Sequence, residues 1–337
     1  MSTKLTLRRI FAGTLWAGRI SVKRIRQLGA DSRFILMYHR ITNPRTEPVY
    51  IQPGMYVTPE TFAMHLKALQ SETIVLPLHE LLNRMRQGNG NPASKPLCAI
   101  TFDDGWLDFC TNAFPVLKSL NMPATVFLPT NFIGTDKWFW TDQFAFVWKQ
   151  LEPRRRPAAT AALRSLSRIQ GSFESQIEKA VAVLKNLPGN AIEDVLAELE
   201  KCAGTSSRVP GRAFLNWEEV REMRGSGLVS FGSHTAGHQI LTTLDQNGIR
   251  DELLVSKQKL VEEKAADADG LSFCYPNGNF NQTISALVKE SGYSSAVTTK
   301  TGWNSFSENH FALKRIGMHQ DMTSTKSLFL SRLAGIF

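Results

Sequence analysis

The sequence predicts an α/β protein, and two observations carry that prediction. Seven short apolar runs recur along the chain: 33–39 (RFILMYH), 97–104 (LCAITFDD), 124–129 (ATVFLP), 227–234 (GLVSFGSH), 271–276 (LSFCYP), 294–299 (SSAVTT) and 312–319 (ALKRIGMH). Each is nearly continuous in apolar character and rich in β-branched or aromatic side chains, as strands buried on both faces of a parallel sheet are. Between them, TPETFAMHLKALQ, FPVLKSL, NWEEVREMRGSG and RDELLVSKQKLVEEK carry helical periodicity. Several of these open with Thr, Asn or Asp, whose side chains accept the unpaired N–H groups of a helix start. Strands alternating with helices give an α/β barrel or an open doubly wound sheet. The 337 residues suit one large domain with insertions. Residues 136–212 break the rhythm with PRRRP, Ala-rich stretches and AIEDVLAELEKC, and predict an inserted helical subdomain. The expected organisation is a basic N-terminal segment over 1–29 and an α/β domain over 30–337 that contains this insertion.

Composition narrows the function classes. With 42% hydrophobic and 20% charged residues the chain is that of a folded globular protein, not a disordered one. Cys98, Cys110, Cys202 and Cys274 are scattered and show no C-x-x-C spacing, which excludes a disulfide framework and favours a reducing compartment. A net charge of +9 suits nucleic acid, an anionic membrane or an anionic substrate. No nucleic-acid recognition motif accompanies the charge, so nucleic acid is not expected as a partner, and no run is long and apolar enough to span a bilayer. The charge concentrates in the first 30 residues. There Leu7, Phe11, Leu15, Gly18, Val22 and Ile25 recur at helical spacing, with Arg8, Arg9, Arg19, Lys23, Arg24 and Arg26 mostly opposite. This reads as a basic amphipathic helix that meets an anionic membrane through residues 4–28, or packs on the domain. No A-x-A site follows the short apolar stretch 10–17, so a cytoplasmic protein, peripheral at the inner face of the membrane, is expected over an exported one.

The chemistry begins at Asp103 and Asp104, adjacent carboxylates at the end of a buried strand. Two neighbouring anions repel and are costly to desolvate, so a cation or a reaction must compensate them. His234 ends another strand and His238 follows four residues later. That spacing lets two imidazoles share a metal from one helical turn or one tight loop. C-terminal strand ends are where barrels and open α/β sheets build their sites. Two histidines and one carboxylate suit a divalent transition metal with open positions, leaving the second aspartate to act as a general base toward the attacking water.

TFDDG, SHTAGH and FCYPNG, in this order, resemble the motifs of the polysaccharide deacetylases of carbohydrate esterase family 4, the nodulation-type chitooligosaccharide deacetylase homology group. The similarity covers roughly residues 33–319 and extends to ILMYHRI, AFPVLKSLNMPATVFLPTNFIG and NWEEVREMRGSGLVSFGSHTAGHQILTTL. The resemblance implies a distorted (β/α) barrel of about seven strands. It implies Asp103 as base, and Asp104, His234 and His238 as ligands of one divalent metal ion, zinc first, with cobalt, nickel or manganese as alternatives. The implied reaction is hydrolysis of N-acetyl groups from an N-acetylated oligo- or polysaccharide of a cell-surface or exopolysaccharide pathway, or from its lipid-linked precursor. A backbone N–H in the YPNG loop would steady the oxyanion, and alignment of the motif points to Asn277. Tyr275 of that motif is expected to contact sugar, and Trp138 and Trp140 of WFWTDQF to stack on sugar rings or, as such aromatics more often do, to pack in the core. Many relatives carry, where Cys274 stands, an arginine that braces the catalytic aspartate. The F-x-Y-P-x-G branch, which includes the biofilm poly-N-acetylglucosamine deacetylases, lacks that arginine, and this sequence is similar to it. In that branch the acid histidine lies on the first strand, which selects His39; His319 in RIGMH is the alternative. Deformylation, O-acetyl ester hydrolysis and a non-catalytic glycan-binding relative are the competing readings. The full set of Asp103, Asp104, His234 and His238 argues against the last.

Overall fold

Every apolar run read as a strand becomes one. The computed structural model describes residues 20–27, 33–87, 95–151, 168–185 and 189–336, with single positions 13, 164, 166 and 187 besides. The strands are β1 (Arg33–Tyr38), β2 (Arg40–Ile41), β3 (Tyr56–Val57), β4 (Ile74–Val75), β5 (Leu97–Phe102), β6 (Ala124–Leu128), β7 (Val229–Ser233), β8 (Ser272–Cys274), β9 (Ser295–Val297) and β10 (Ile316–Gly317). Seven of them form one parallel sheet in the order β10-β1-β5-β6-β7-β8-β9. The segment running into β10 draws the two edges together, because Leu313 bridges Val297 while Ile316 and Gly317 pair with Leu36 and Met37. The architecture is therefore a distorted (β/α) barrel of seven strands rather than an open doubly wound sheet. β4 adds to the flank of β5, and β2 pairs β3 in a separate ladder.

Burial explains why the strands were readable. All six residues of β1 and of β5 are buried, so both faces of each strand meet apolar neighbours. Ile35, Ala99, Phe127, Cys274, Val297 and Leu313 join Leu78, Leu81, Leu82 and Met85 of the helix Leu78–Arg86 in one apolar cluster. Helix starts follow their caps. Thr58 caps Pro59–Glu72, and Asn216 forms a reciprocal capping box with Glu219 at Trp217–Gly225. Asp245 caps Gln246–Glu262, so that helix begins about a turn before the expected position.

A second compact unit comprises Asn43–Gln52 and Asp136–Ala213. Its helices Trp140–Gln150, Phe173–Leu184 and Gly189–Ala203 bury Phe144, Trp148, Ile177, Val181, Leu184 and Leu199 in their own core. The expected insertion, 136–212, did not include Asn43–Gln52, a polar stretch with no apolar periodicity. Of the N-terminal segment, the helix Ile20–Gln27 is described; the remainder of 1–29, apart from residue 13, lies outside the described residues. That helix packs on the barrel's own helices. Ser21 and Ile25 are buried, Ser21 Oγ lies 3.1 Å from Ser331 Oγ, and Arg26 pairs with Glu72 at 3.1 Å. Among the described residues no helix is long and apolar enough to cross a membrane.

His65 ties the first strand to the C-terminal helices. Its Nε2–H donates to the Thr323 carbonyl at 2.7 Å, its Nδ1 accepts from the Tyr38 hydroxyl at 3.1 Å, and its ring stacks on Phe329. Burial pushes its pKa down to about 4, against the opposing pull of the Thr323 carbonyl. An unfolded histidine titrates near 6.5, so between pH 6.5 and 4 the unfolded chain binds more protons. The stability this group contributes is complete above pH 6.5 and is lost as pH falls toward 4, on the order of 3 kcal/mol. Urea unfolding across this window should show wild type losing about 3 kcal/mol more than His65→Gln. Equal losses would contradict this.

Candidate active site

The two neighbouring anions prove to be compensated separately. Asp103 stays in register with β5, its N–H donating to the Tyr38 carbonyl at 3.0 Å. The chain then turns sharply, with Asp104 at φ 72° and Gly105 at φ 66°. A Cβ at Gly105 would lie 2.5 Å from Leu128 Cδ2, so both the backbone and the space call for glycine. Asp103 and Asp104 are each only 2% exposed, and the turn sends their carboxylates to different partners.

Asp104 faces the histidines. Its Oδ1 lies 3.4 Å from His234 Nε2 and 3.3 Å from His238 Nε2, and the three ligand atoms fall within 4.8 Å of one another. Trp106 Nε1 donates to Asp104 Oδ2 at 3.0 Å, which leaves Oδ1 turned toward the imidazoles. His234 Nδ1 lies 2.8 Å from the Cys274 carbonyl. A carbonyl only accepts, so Nδ1 carries a proton, which leaves Nε2 as the nitrogen that would ligate a metal. One carboxylate oxygen and two imidazole nitrogens converging in a buried place fit a divalent metal ion, zinc included. Burial pushes the Asp104 carboxyl up, and the hydrogen bonds and charges of the histidines overcome this and hold it well below the usual range.

The H-x-x-x-H pair sits on a loop, not a helix, with Thr235 at φ 65° and His238 at φ 57°. The strained loop is tied down by Thr130 N–H to the Thr235 carbonyl, Asn131 N–H to the Ala236 carbonyl, and Gly237 N–H to Glu252 Oε2 at 2.7 Å. The pattern of two histidines was visible in the sequence; the left-handed residues that fold it were not.

Asp103 faces Arg315, which sequence reasoning missed. Arg315 donates from Nη1 to Asp103 Oδ1 and from Nη2 to Oδ2, both at 2.7 Å, and is fully buried. Burial alone raises the Asp103 carboxyl; the guanidinium more than reverses this and keeps it below the ordinary carboxylate range. Arg315 Nη2 also lies 3.2 Å from Cys274 Sγ. The brace absent at position 274 thus arrives beside it from the segment that closes the barrel. Its signal was a lone arginine inside a run read as a buried strand, ALKRIGMH. Asp103, His234 and Cys274 also cluster within 4.8 Å, but there both Asp103 oxygens and Cys274 Sγ already meet the Arg315 guanidinium.

His39 follows β1, with Nε2 3.8 Å from Asp103 Oδ2 and its side chain 15% exposed. His319 follows β10 on the neighbouring strand. Its pKa is pushed down by burial and by the charge of His39, and a Cβ on Gly317 would approach its Nε2 to 2.9 Å. Of the two, His39 is the one in ion-pair range of Asp103. Asn277 lies in the turn after β8 at φ 56°, and Gly278 beside it has no room for a Cβ against Thr299. Tyr275 does not fit the substrate-contact role. It is fully buried, its hydroxyl donates to the Phe311 carbonyl at 3.0 Å, and its ring stacks on Phe280, so no face remains for a sugar. In the second unit, Trp138 is nearly buried and donates its indole N–H to the Gly211 carbonyl, while Trp140 packs half-buried against that unit's core. Both rings are thus largely taken up by packing, the core reading of the two that the sequence offered.

The parallel barrel thus carries on its C-terminal rim a carboxylate clamped by arginine and, beside it, a carboxylate–histidine set that fits one metal ion. The family model for polysaccharide deacetylase matches residues 90–296, and the chain belongs to that family of deacetylases. It is 22% identical over 291 residues to YxkH of Bacillus subtilis (strain 168), a protein named for the same activity, covering 86% of this chain and 73% of that one. Among solved structures it resembles the Streptococcus pyogenes deacetylase PplD in complex with acetate, with a TM-score of 0.56 at 20% identity over 87% of this chain and 94% of that one. It also resembles IcaB from Ammonifex degensii, with a TM-score of 0.56 at 18% identity over 89% and 97% of the two chains. A de-N-acetylase from Aggregatibacter actinomycetemcomitans matches at 0.56 and 16% identity over 90% and 100%.

Proposed function

We propose that the protein hydrolyses N-acetyl groups of amino sugars in a cell-surface or exopolysaccharide, or in its lipid-linked precursor. The observation that carries this reading is the placement of Asp103. It is clamped by Arg315, lies in range of His39, and adjoins the set of Asp104, His234 and His238. A de-N-acetylase among the structural relatives agrees with it.

Held by Asp104 Oδ1, His234 Nε2 and His238 Nε2, a divalent cation such as zinc would polarise the acetyl carbonyl and acidify water beside it. The protein's own groups do the rest. Asp103 is ionised at neutral pH because Arg315 faces it, so it accepts a proton from the attacking water. Arg315 also fixes the plane of the carboxylate, leaving the lone pairs not used by the guanidinium to face the substrate. The turn N–H at Asn277 steadies the oxyanion as the carbonyl becomes tetrahedral. An amine leaves a carbon centre only after protonation, and His39 supplies that proton. The products are acetate and a free amine on the sugar.

Zinc-loaded protein should release acetate and free amine in equal amounts from N-acetylglucosamine oligomers. Acetate without amine from an O-acetylated glycan, or formate from an N-formyl sugar, with no turnover of the oligomers, would replace this reading with ester hydrolysis or deformylation.

A further inference from the structure

Asp108 has no part in the chemistry above, yet its carboxylate holds the two residues that follow His39. Its Oδ1 accepts from the backbone N–H of Ile41 at 2.7 Å, and its Oδ2 accepts from Arg40 Nε at 2.7 Å. Directly after it comes a π-helical turn, Phe109–Ala113, a widened geometry common at functional sites. From that turn Asn112 Nδ2 donates to the Ile41 carbonyl at 2.7 Å. Both backbone polar groups of Ile41, two residues after His39, are thus held by one short element.

The other half of the connection runs through Arg40. Its guanidinium carbon lies 4.6 Å from the centroid of the Trp106 ring, and the Trp106 indole donates to Asp104 Oδ2 at 3.0 Å. Arg40, Trp106 and Asp108 are 5%, 3% and 6% exposed. Asp104 must present Oδ1, and not Oδ2, to the two imidazoles, and a carboxylate turns freely about its last bond unless one oxygen is held. The indole N–H holds it. The indole plane is held by the guanidinium over its ring together with Phe214, stacked on it at 4.7 Å, and the guanidinium is bonded to the carboxylate of Asp108.

We propose that Asp108 is a positioning residue that locks the proton-donor side of the site to the metal side. One carboxylate fixes the backbone behind His39 and, through Arg40 and Trp106, the orientation of Asp104. The proposal rests on the roles given above to His39 and Asp104. Outer-shell partners of this kind typically alter metal affinity or activity 10- to 100-fold. An ion pair with a structural role alone would lower thermal stability and leave both quantities in place.

The test is the zinc dissociation constant, by competition with a chelator, together with kcat and KM on N-acetylglucosamine oligomers. Asp108→Asn keeps an oxygen for Ile41 but presents an amide N–H to Arg40, and Trp106→Phe keeps the ring but removes the donor to Asp104. Each should weaken zinc binding about tenfold and lower kcat by a similar factor, with KM within about twofold. The double variant should be little worse than either single one, because the two residues act along one chain of contacts. Zinc affinity and kcat within about twofold of wild type in both single variants, whatever the change in melting temperature, would overturn the proposal. Asp104→Ala separates the two failures. If it still binds zinc as wild type does, the metal site itself is misassigned; if it does not, while Asp108→Asn and Trp106→Phe behave as wild type, only the positioning role fails.

Discussion

Asp103→Asn should lower kcat for deacetylation by about three orders of magnitude, within the range that a positioned general base contributes. Asn has nearly the same shape but does not accept a proton from water; it costs stability by leaving the Arg315 charge uncompensated, while substrate binding and the neighbouring metal set should survive in the folded protein. The separation of the two aspartates makes this effect specific. Asp104 takes the imidazoles, with Oδ1 at 3.3 and 3.4 Å, while Asp103 takes the guanidinium, with both oxygens at 2.7 Å. Steady-state kinetics on N-acetylglucosamine oligomers checks the prediction. A fall of less than about tenfold would mean that the base lies elsewhere.

Arg315→Met should be the most destabilising single change at this site. Arginine has five N–H donors, and here every one has a partner: Nε on the Thr298 carbonyl, Nη1 on Thr101 Oγ1 and Asp103 Oδ1, and Nη2 on Asp103 Oδ2 and Cys274 Sγ. Removing the guanidinium strands a buried carboxylate, a loss of about 3–5 kcal/mol measured by denaturant unfolding. The native pKa of Asp103 lies below its unfolded value, so the pair stabilises fully above the unfolded value near 3.9, and its contribution is lost as pH falls through the native one. The full effect is therefore present at pH 7. Combining Arg315→Met with Asp103→Asn removes both charges and should recover much of the loss. A single-variant loss below about 1 kcal/mol would show that water reaches Asp103 freely.

How much of this was legible follows from the physics of each element. The seven barrel strands could be read because burial on both faces makes a run almost wholly apolar. β2, β3 and β4 have two residues each, and their positions come from tertiary pairing; β10 is as short, but the longer run 312–319 around it was readable. The cluster of Asp104, His234 and His238 was legible because its residue types are scarce and lie at or just past strand ends. Its loop was not, because left-handed Thr235 and His238 follow no propensity rule; they are held by bonds to Thr130, Asn131 and Glu252. Arg315 escaped because the brace was sought at position 274, whereas the barrel brings it in from 41 residues further along the chain. Tyr275 misled because a motif aromatic beside a site reads as a sugar platform until its buried hydroxyl is seen on the Phe311 carbonyl. Asn43–Gln52 escaped because membership of the second unit is decided by packing against distant residues, Tyr50 meeting Phe173 among them.

The central claim is that the adjacent aspartates divide the work, Asp104 holding metal and Asp103 handling the proton. The most direct measurement is the zinc bound per chain in wild type, Asp103→Asn and Asp104→Asn after reconstitution and removal of free metal. The division predicts about one ion in wild type, about one in Asp103→Asn and almost none in Asp104→Asn. Zinc lost with Asp103→Asn but kept with Asp104→Asn would reverse the two roles and contradict the account.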